Sequence, residues 1–213
     1  MAIVQNPITG RSKNKFGTAV FSKQFGKNTM RTKPIEVKNP KTPDQVNQRE
    51  KFSLMVSTAR LLLNFIRVSF KNSTTKMSPY NVFVSHNLKN AIIGLPGSFE
   101  IDYPNLMVSK GTIFMPVGVV AGSELSGKVK RNWSVPLDPS DPSNSDLLVC
   151  LVYNIDKALW LHEFTTTMRS VGVYQQTVPA DWSSDEVHVY TLFTDSAKAH
   201  SSDSVYSGIV TVL

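Results

Sequence analysis

The spacing of apolar residues changes part-way along this 213-residue chain, and that change limits what the chain can fold into. Between Val46 and Phe70 the apolar residues recur at the intervals of an α-helix. Beyond the Gly-Leu-Pro-Gly turn sequence at residues 94–97 they alternate with a period of two, as in half-buried β-strands. Because neither pattern can bury its apolar face in the geometry of the other, the sequence predicts an α+β protein.

The first predicted helix has a strong start signal. Thr42 is a suitable N-cap, Pro43 fits the first helical position, and Gln45 completes a capping box. The apolar pattern carries the helix to about Phe70, a length of roughly 40 Å at the helical rise per residue. Because helices of that length are unusual in globular proteins, we expect a break or a tertiary support within it.

A second helix is predicted after a short polar loop. Ser78-Pro79 repeats the pattern of a cap followed by proline, and the helix should run from Pro79 to about Ile93, with Gly94 as its C′ residue. Two helices joined by a short loop pack as an αα-hairpin. Upstream, residues 16–21 and 29–33 are predicted strands joined by a turn at 26–28, which gives an N-terminal β-hairpin.

Seven further strands are predicted in the second half of the chain. Turn-rich spacers separate them, and they occupy residues 113–120, 129–135, 147–153, 158–164, 171–178, 187–193 and 206–212. Two short strands, at 99–103 and 106–109, precede them. Seven short strands over about a hundred residues are typical of an immunoglobulin-like β-sandwich. We therefore expect two domains, a basic N-terminal region (1–110) and a C-terminal β-sandwich (111–213).

The aromatic placement in these strands is similar to that of fibronectin type III domains. Trp133 falls on the second predicted strand, and Val187-His188-Val189-Tyr190 alternates on the sixth. The resemblance implies a fibronectin III-like sandwich. It implies no activity, because unrelated functions share such folds.

Charge is distributed unevenly along the chain. Residues 1–51 contain 11 Lys and Arg against 3 acids, residues 52–110 contain 6 against 2, and residues 111–213 contain 6 against 11. The net charges of these three segments are +8, +4 and −5, and they add up to the whole-chain net charge of +7. A basic front half favours a polyanionic partner, either nucleic acid or an acidic protein surface. The two halves can equally attract each other, within one molecule or head to tail between copies.

Six basic residues lie in or beside the predicted hairpin, with phenylalanines among them. Basic side chains can hold phosphates while aromatic rings stack on bases, so the pattern predicts a nucleic-acid contact. It also fits a small apolar face with a solvated back, and neither an RNP motif nor a zinc finger is present. The candidate nucleic-acid-binding residues are Lys13, Lys15, Lys23, Lys27, Arg31 and Lys33, interleaved with Phe16, Phe21 and Phe25.

The sequence offers no residue set for catalysis. Its single cysteine, Cys150, lies in the apolar run 147–152, which predicts a buried strand and excludes an intrachain disulfide. No two of the four histidines have metal-ligand spacing. Gly122 and Gly127 are spaced as in a P-loop, but Lys128 is followed by valine and no helix is predicted there. We therefore predict a non-enzymatic protein without catalytic, cofactor-binding or metal-binding residues.

Six short segments together resemble a family of uncharacterised bacteroidete proteins known only as a domain of unknown function. They are KFGTAV at 15–20, RTKP at 31–34, TPDQVNQREKF at 42–52, NLKNAI at 87–92, IDY at 101–103 and SKG at 109–111. The resemblance covers nearly the whole chain and implies a basic N-terminal hairpin and helix region before a fibronectin III-like sandwich. Residues 23–25 depart from it, since such proteins are expected to carry a tryptophan there. The family supplies no activity to transfer.

Three function classes fit these observations. A structural or assembly protein, such as a phage virion or prophage component, would self-associate through its basic N-terminal half or bind other structural subunits. A sequence-nonspecific nucleic-acid-binding accessory protein fits the charge asymmetry, and a surface adhesion module fits the sandwich. Residues 1–10 lack a signal-peptide core, and no run approaches the roughly 18 apolar residues of a membrane span, so we expect a cytoplasmic or virion location.

Overall fold

The computed structural model describes residues 2–3, 14–24, 26–36, 39–73 and 77–213. Its contacts divide the chain into two compact units, Met1–Gln45 and Val46–Leu213. The domain boundary at residue 110, expected from charge and periodicity, falls inside the second unit and stays a prediction. A hairpin-based sheet, a pair of helices and a β-sandwich are all present, which confirms the predicted α+β fold class.

The described part of the first unit is a four-stranded antiparallel sheet in the order β1-β4-β3-β2. Its strands are β1 (Ala2–Ile3), β2 (Asn14–Phe16), β3 (Ala19–Gln24) and β4 (Lys27–Thr32). β3 and β4 form the predicted hairpin. The predicted bounds were wrong in two places: a two-residue turn at Gly17 and Thr18 interrupts the strand predicted at 16–21, and β4 begins inside the turn predicted at 26–28. Because that first turn joins β2 to β3, the hairpin is the centre of a larger sheet.

The described residues form three α-helices: α1 (Pro43–Leu61), α2 (Leu63–Ser69) and α3 (Pro79–Asn90). All of α2 and α3, and α1 from Val46 onward, belong to the second unit. The long predicted helix breaks at Leu62, and the axes of α1 and α2 differ by 85°. This confirms the expected break, and α2 packs against α3 as the predicted helical hairpin. Among the described residues no single helix is long and apolar enough to cross a membrane; α1 and α2 reach that length and composition only as a bent pair.

Helix α3 begins as predicted and ends earlier than predicted. Ser78 Oγ accepts a hydrogen bond from the Asn81 N–H at 3.3 Å, which is the expected cap. The helix ends at Asn90, so the predicted extension to Ile93 with Gly94 as its C′ residue was wrong.

The residues after α3 form a second hairpin. Its strands are β5 (Ile92–Leu95) and β6 (Ser98–Ile101), paired antiparallel. Gly94 has φ +100° there, and a Cβ at this position would collide with the Ser98 carbonyl oxygen. The close approach of the two strands therefore requires this glycine, which sequence alone assigned to a helix cap.

The sandwich consists of two antiparallel sheets in the orders β11-β8-β7 and β10-β9-β12-β13. Its first, second and fifth strands form one sheet and the other four form the second, as in an immunoglobulin-like, fibronectin III-like sandwich. The strands are β7 (Val120–Gly122), β8 (Lys128–Asn132), β9 (Leu147–Asn154), β10 (Leu159–Met168), β11 (Val173–Thr177), β12 (Glu186–Thr194) and β13 (Val205–Thr211).

The strand predicted at 113–120 was wrong. This segment is a loop with one isolated bridge at Ile113, and the first sandwich strand starts only at Val120. Its alternate apolar residues pack on the sandwich core from the loop, which produces the strand-like pattern. Pro116 cannot donate a ladder hydrogen bond and Gly118 has φ +67°, so no ladder forms.

Residues 106–109, predicted as a strand, are irregular. Here side chains accept the hydrogen bonds that a neighbouring strand would otherwise accept. The Met107 backbone N–H donates to Asn87 Oδ1 at 2.8 Å, and the Val108 backbone N–H donates to Ser204 Oγ at 3.0 Å. Trp133 follows β8 instead of lying on it, and its backbone N–H donates to the Gly172 carbonyl oxygen at 3.0 Å. Buried backbone groups at both places are satisfied without regular pairing.

Strands β9 and β12 are buried on both faces and form the middle layer of the second unit. On one face, their side chains meet the three-stranded sheet in two apolar clusters that include Leu148, Val152 and Val189. On the other face, Val149, Leu151, Tyr190 and Leu192 pack with α1, α2 and α3 in a cluster that includes Met55, Phe65, Ile66 and Phe83. The helices therefore cover a sheet face of the sandwich.

Substitution of Phe65 by alanine tests this shared layer. The Phe65 ring is fully buried, 5.8 Å from that of Phe164 on β10, so Phe65→Ala should lower the free energy of unfolding by about 3–5 kcal/mol. Denaturant unfolding should show one transition by far-UV circular dichroism and tryptophan fluorescence. Phe52→Ala, at a half-exposed ring on α1, should change little. Loss of the helices with the sandwich transition unmoved would contradict the shared layer.

Candidate functional site

The strand register places the predicted nucleic-acid-binding residues on different faces of the N-terminal sheet. Lys15 is opposite Val20, and Val20 is opposite Arg31, so these three residues share a face. Lys27 joins them because it alternates in phase with Arg31 along β4. Lys23 lies on the other face. We call the face of Lys15, Lys27 and Arg31 the basic face.

Of the two remaining candidate residues, only Lys33 is described. Lys33 follows β4, where its backbone N–H donates to the Thr18 carbonyl oxygen at 2.7 Å. Lys13 lies outside the described residues, as does Phe25. The five described cations are all exposed.

The opposite face of the sheet carries the described phenylalanine rings, and we call it the apolar face. It consists of Phe16, Ala19, Phe21 and Met30 together with polar residues that include Lys23. The Phe16 side chain is 82% exposed. Lys15, Lys27 and Arg31 therefore face away from the rings of Phe16 and Phe21, whereas Lys23 shares the face of the rings. Phosphate contacts by the basic face and stacking by these rings would need two separate surfaces. The nucleic-acid role of the six cations stays a prediction.

The N-terminal sheet has little interior of its own. Among the residues of this sheet whose burial is described (14–23 and 26–32), Thr29 alone is buried, and no hydrophobic cluster formed by the described residues includes a residue before Met55. A small sheet needs a covered apolar face to be stable. The exposed apolar face and the two edge strands therefore make this sheet a candidate contact surface.

One end of the sandwich carries an acidic surface. Lys157 Nζ donates to the Asp181 carbonyl oxygen at 2.6 Å and pairs with the Asp185 carboxylate, and the hydrogen bond from Lys157 lowers the pKa of Asp185. Asp156, Asp181 and Glu186 are exposed around this pair and form no ion pair with any described residue. We call these three carboxylates the acidic end.

Five polar or polarisable side chains meet between the two sheets of the sandwich. Arg131 and Tyr174 lie opposite each other on β8 and β11, and Cys150 and Glu163 lie opposite each other on β9 and β10. Gln176 points to the same interior from β11, in register with Val129. We call this set the interior polar cluster. Sequence analysis missed Arg131, although it has the same strand phase as the apolar residues Val129 and Trp133.

A second group that sequence analysis missed is aromatic. The Tyr103 ring stacks on the rings of Tyr153 and His188, with centroid distances of 4.6 and 4.5 Å. Tyr190 Oη donates to the Tyr103 carbonyl oxygen at 2.7 Å, so the group holds the short 3-10 helix Tyr103–Asn105 against the sheet. Burial lowers the pKa of His188, which keeps the imidazole neutral in this stack. The one sequence signal that involved this group was the alternation of residue types at 187–190, which includes His188 and Tyr190.

The predicted buried position of Cys150 is confirmed. Its side chain is fully buried, and burial raises the pKa of the thiol to about 11. The thiol is therefore neutral and a poor nucleophile. Within the part of the chain that the structure describes, no three His, Cys, Asp or Glu side chains come together as a metal site.

A family model described as a family of unknown function, DUF6266, matches residues 10–208. The chain belongs to the DUF6266 family. This confirms the resemblance to a family of unknown function; the bacteroidete origin and the basic hairpin attributed to that resemblance stay predictions. No curated protein matches this DUF6266 chain.

One solved structure similar to this DUF6266 protein contains the FN1–FN3 domains of chicken CNTN1. The two share 14% sequence identity with a TM-score of 0.37, and the match covers 55% of this chain. The chain spans 38% of the length of that structure. The sandwich assignment given above depends on the strand order of this protein itself.

The burial of Cys150 predicts how its thiol reacts. In the native protein at pH 8, a thiol reagent such as DTNB should leave Cys150 unmodified over hours, because the thiol is enclosed and its pKa is raised to about 11. In guanidinium chloride one thiol per chain should react within minutes. Absorbance of the released thiolate measures both rates. Rapid labelling of the native protein would contradict the assigned packing of β9.

Proposed function

We propose that this DUF6266 protein is a non-enzymatic structural subunit that self-associates through its basic N-terminal half. The finer form of the proposal is a component of a phage virion or a prophage-encoded particle. The observation that carries it is the N-terminal sheet, which has an exposed apolar face and no hydrophobic cluster of its own among the described residues. A second copy of the chain is the proposed partner.

Charge complementarity supports a second copy as that partner. Residues 1–51 carry a net charge of +8, whereas residues 111–213 carry −5. The basic face of one copy would be attracted to the acidic end of another, and such steering raises the association rate at low salt. The free energy of binding would come mainly from burial of Phe16 and its neighbours on the apolar face.

Nucleic-acid binding is the second candidate, because three cations share the basic face. Binding to phosphates alone would be independent of sequence and would weaken steeply with salt. Lys15, Lys27 and Arg31 face away from the aromatic rings, with only Lys23 beside them, which argues for the assembly role first. Adhesion, the third class, fits the sandwich architecture but has no particular surface in its favour.

Light scattering after size exclusion would test the assembly role. We expect a defined oligomer at low salt that partly dissociates at high salt and whose mass is unchanged by mixed-sequence DNA. Reversal of the basic face by K15E, K27E and R31E together should weaken association about tenfold or more. A matched triple reversal at exposed cations on or beside the helices, R60E, K71E and K89E, should have a much smaller effect. A monomer that gains mass only with DNA would instead support the nucleic-acid role.

A substitution on the apolar face would separate apolar burial from charge. Phe16→Ser should weaken self-association by about 10–100-fold, because a buried aromatic side chain contributes strongly at an interface. Phe114→Ser is the matched control, since Phe114 is 86% exposed on the second unit. Sedimentation equilibrium of both variants gives the two dissociation constants. Equal constants for the variants and the native protein would exclude the apolar face as the contact.

A further inference from the structure

Arg131 is a charged side chain enclosed in the middle of the sandwich. Along β8, Lys128, Lys130 and Asn132 are partly exposed, whereas Val129 and Arg131 point inward and are fully buried. Val129 belongs to the apolar cluster between the sheets, so Arg131 points to the same interior. An inward arginine separates the apolar cluster of Val129 from that of Trp133.

The hydrogen-bonding capacity of this interior is largely unused. Among the described residues, Nε and Nη1 of Arg131 have no partner, and Nη2 reaches only the Leu151 carbonyl oxygen at 3.5 Å. Gln176 is 1% exposed, and neither atom of its amide has a partner within the described residues. Buried polar groups are almost always satisfied by protein, water or ions. These two side chains on adjacent strands therefore lack the partners that buried polar groups ordinarily have.

The charge of Arg131 is also uncompensated by direct contact. No ion pair among the described residues includes it, and Glu163, the acid of the interior polar cluster, accepts a hydrogen bond from Tyr174 Oη at 2.7 Å. The Cys150 thiol is neutral. Burial lowers the pKa of Arg131, yet a guanidinium stays protonated in proteins. A buried charge without a contacting counter-charge is strongly destabilising.

We propose that the sandwich binds a small inorganic anion, of the size of chloride, between its sheets at the Arg131 guanidinium and the Gln176 amide. Because Arg131 and Gln176 are both closed to solvent, only a small ion is proposed. The free groups are mainly donors: three N–H bonds on Nε and Nη1 of Arg131 and two on Gln176 Nε2. The charge of Glu163 acts on Arg131 from a distance and raises the pKa of the guanidinium, but it makes no ion pair with it. An anion accepts from several of the free donors and supplies a negative charge in direct contact, whereas water supplies only hydrogen bonds. This site is independent of the proposed self-association.

Thermal unfolding in chloride would test the site. At constant pH and ionic strength, with gluconate as the large replacing anion, the unfolding midpoint should rise by about 5 °C over a hundred-fold increase in chloride. Arg131→Met, which keeps the length of the side chain, should abolish this dependence. Arg67→Met, at an exposed arginine of α2, is the matched control and should retain it. Gln176→Leu should reduce the dependence without removing it.

Bromide supplies a second measurement that does not depend on how the variants fold. Crystals grown in bromide should give an anomalous-scattering peak within hydrogen-bond distance of Arg131 Nε or Nη1. An unfolding midpoint that is independent of chloride, a dependence that survives Arg131→Met, or water alone at this position would each overturn the proposal.

Discussion

Strands β9 and β12 are buried on both faces, and both the helices and the three-stranded sheet pack against them. This double burial explains why residues 147–152 are continuously apolar where a sandwich strand would ordinarily alternate. It also explains the position of Cys150, whose small apolar side chain fits the interior and whose thiol is kept neutral there. The helices, which precede the sandwich in sequence, occupy a sheet face that would otherwise meet solvent.

The interior of the sandwich is less uniform than its apolar strands suggest. Arg131 and Gln176 occupy positions where the strand phase calls for apolar side chains. Replacement of such buried polar groups by apolar residues of similar volume is often neutral or stabilising in proteins, so their presence has no evident benefit as packing. Because their donors lack partners, the stability of the sandwich should depend on the proposed anion.

The described part of the first unit differs from the second unit because it has no hydrophobic cluster. Its sheet places Lys15, Lys27 and Arg31 on one face and Phe16, Phe21 and Met30 on the other, with Thr29 the one buried residue described in it. In the proposed self-association, the apolar face would supply binding free energy and the basic face would supply long-range attraction. The second unit, with its large shared core, needs no such partner for its own stability.

The sequence by itself determined the α+β class, the break in the long helix, the Ser78 cap and most strands of the sandwich, because local periodicity and capping chemistry act over a few residues. Prediction from the sequence failed where contacts with residues distant along the chain determine the local backbone structure. The loop at 113–120 alternates because it packs on a core, and Gly94 is required by the approach of Ser98. Only the tertiary structure decided that Lys15, Lys27 and Arg31 face away from the aromatic rings of the first sheet and that Arg131 points inward. Both follow from strand register, which is fixed by pairing between segments and cannot be read from either segment alone.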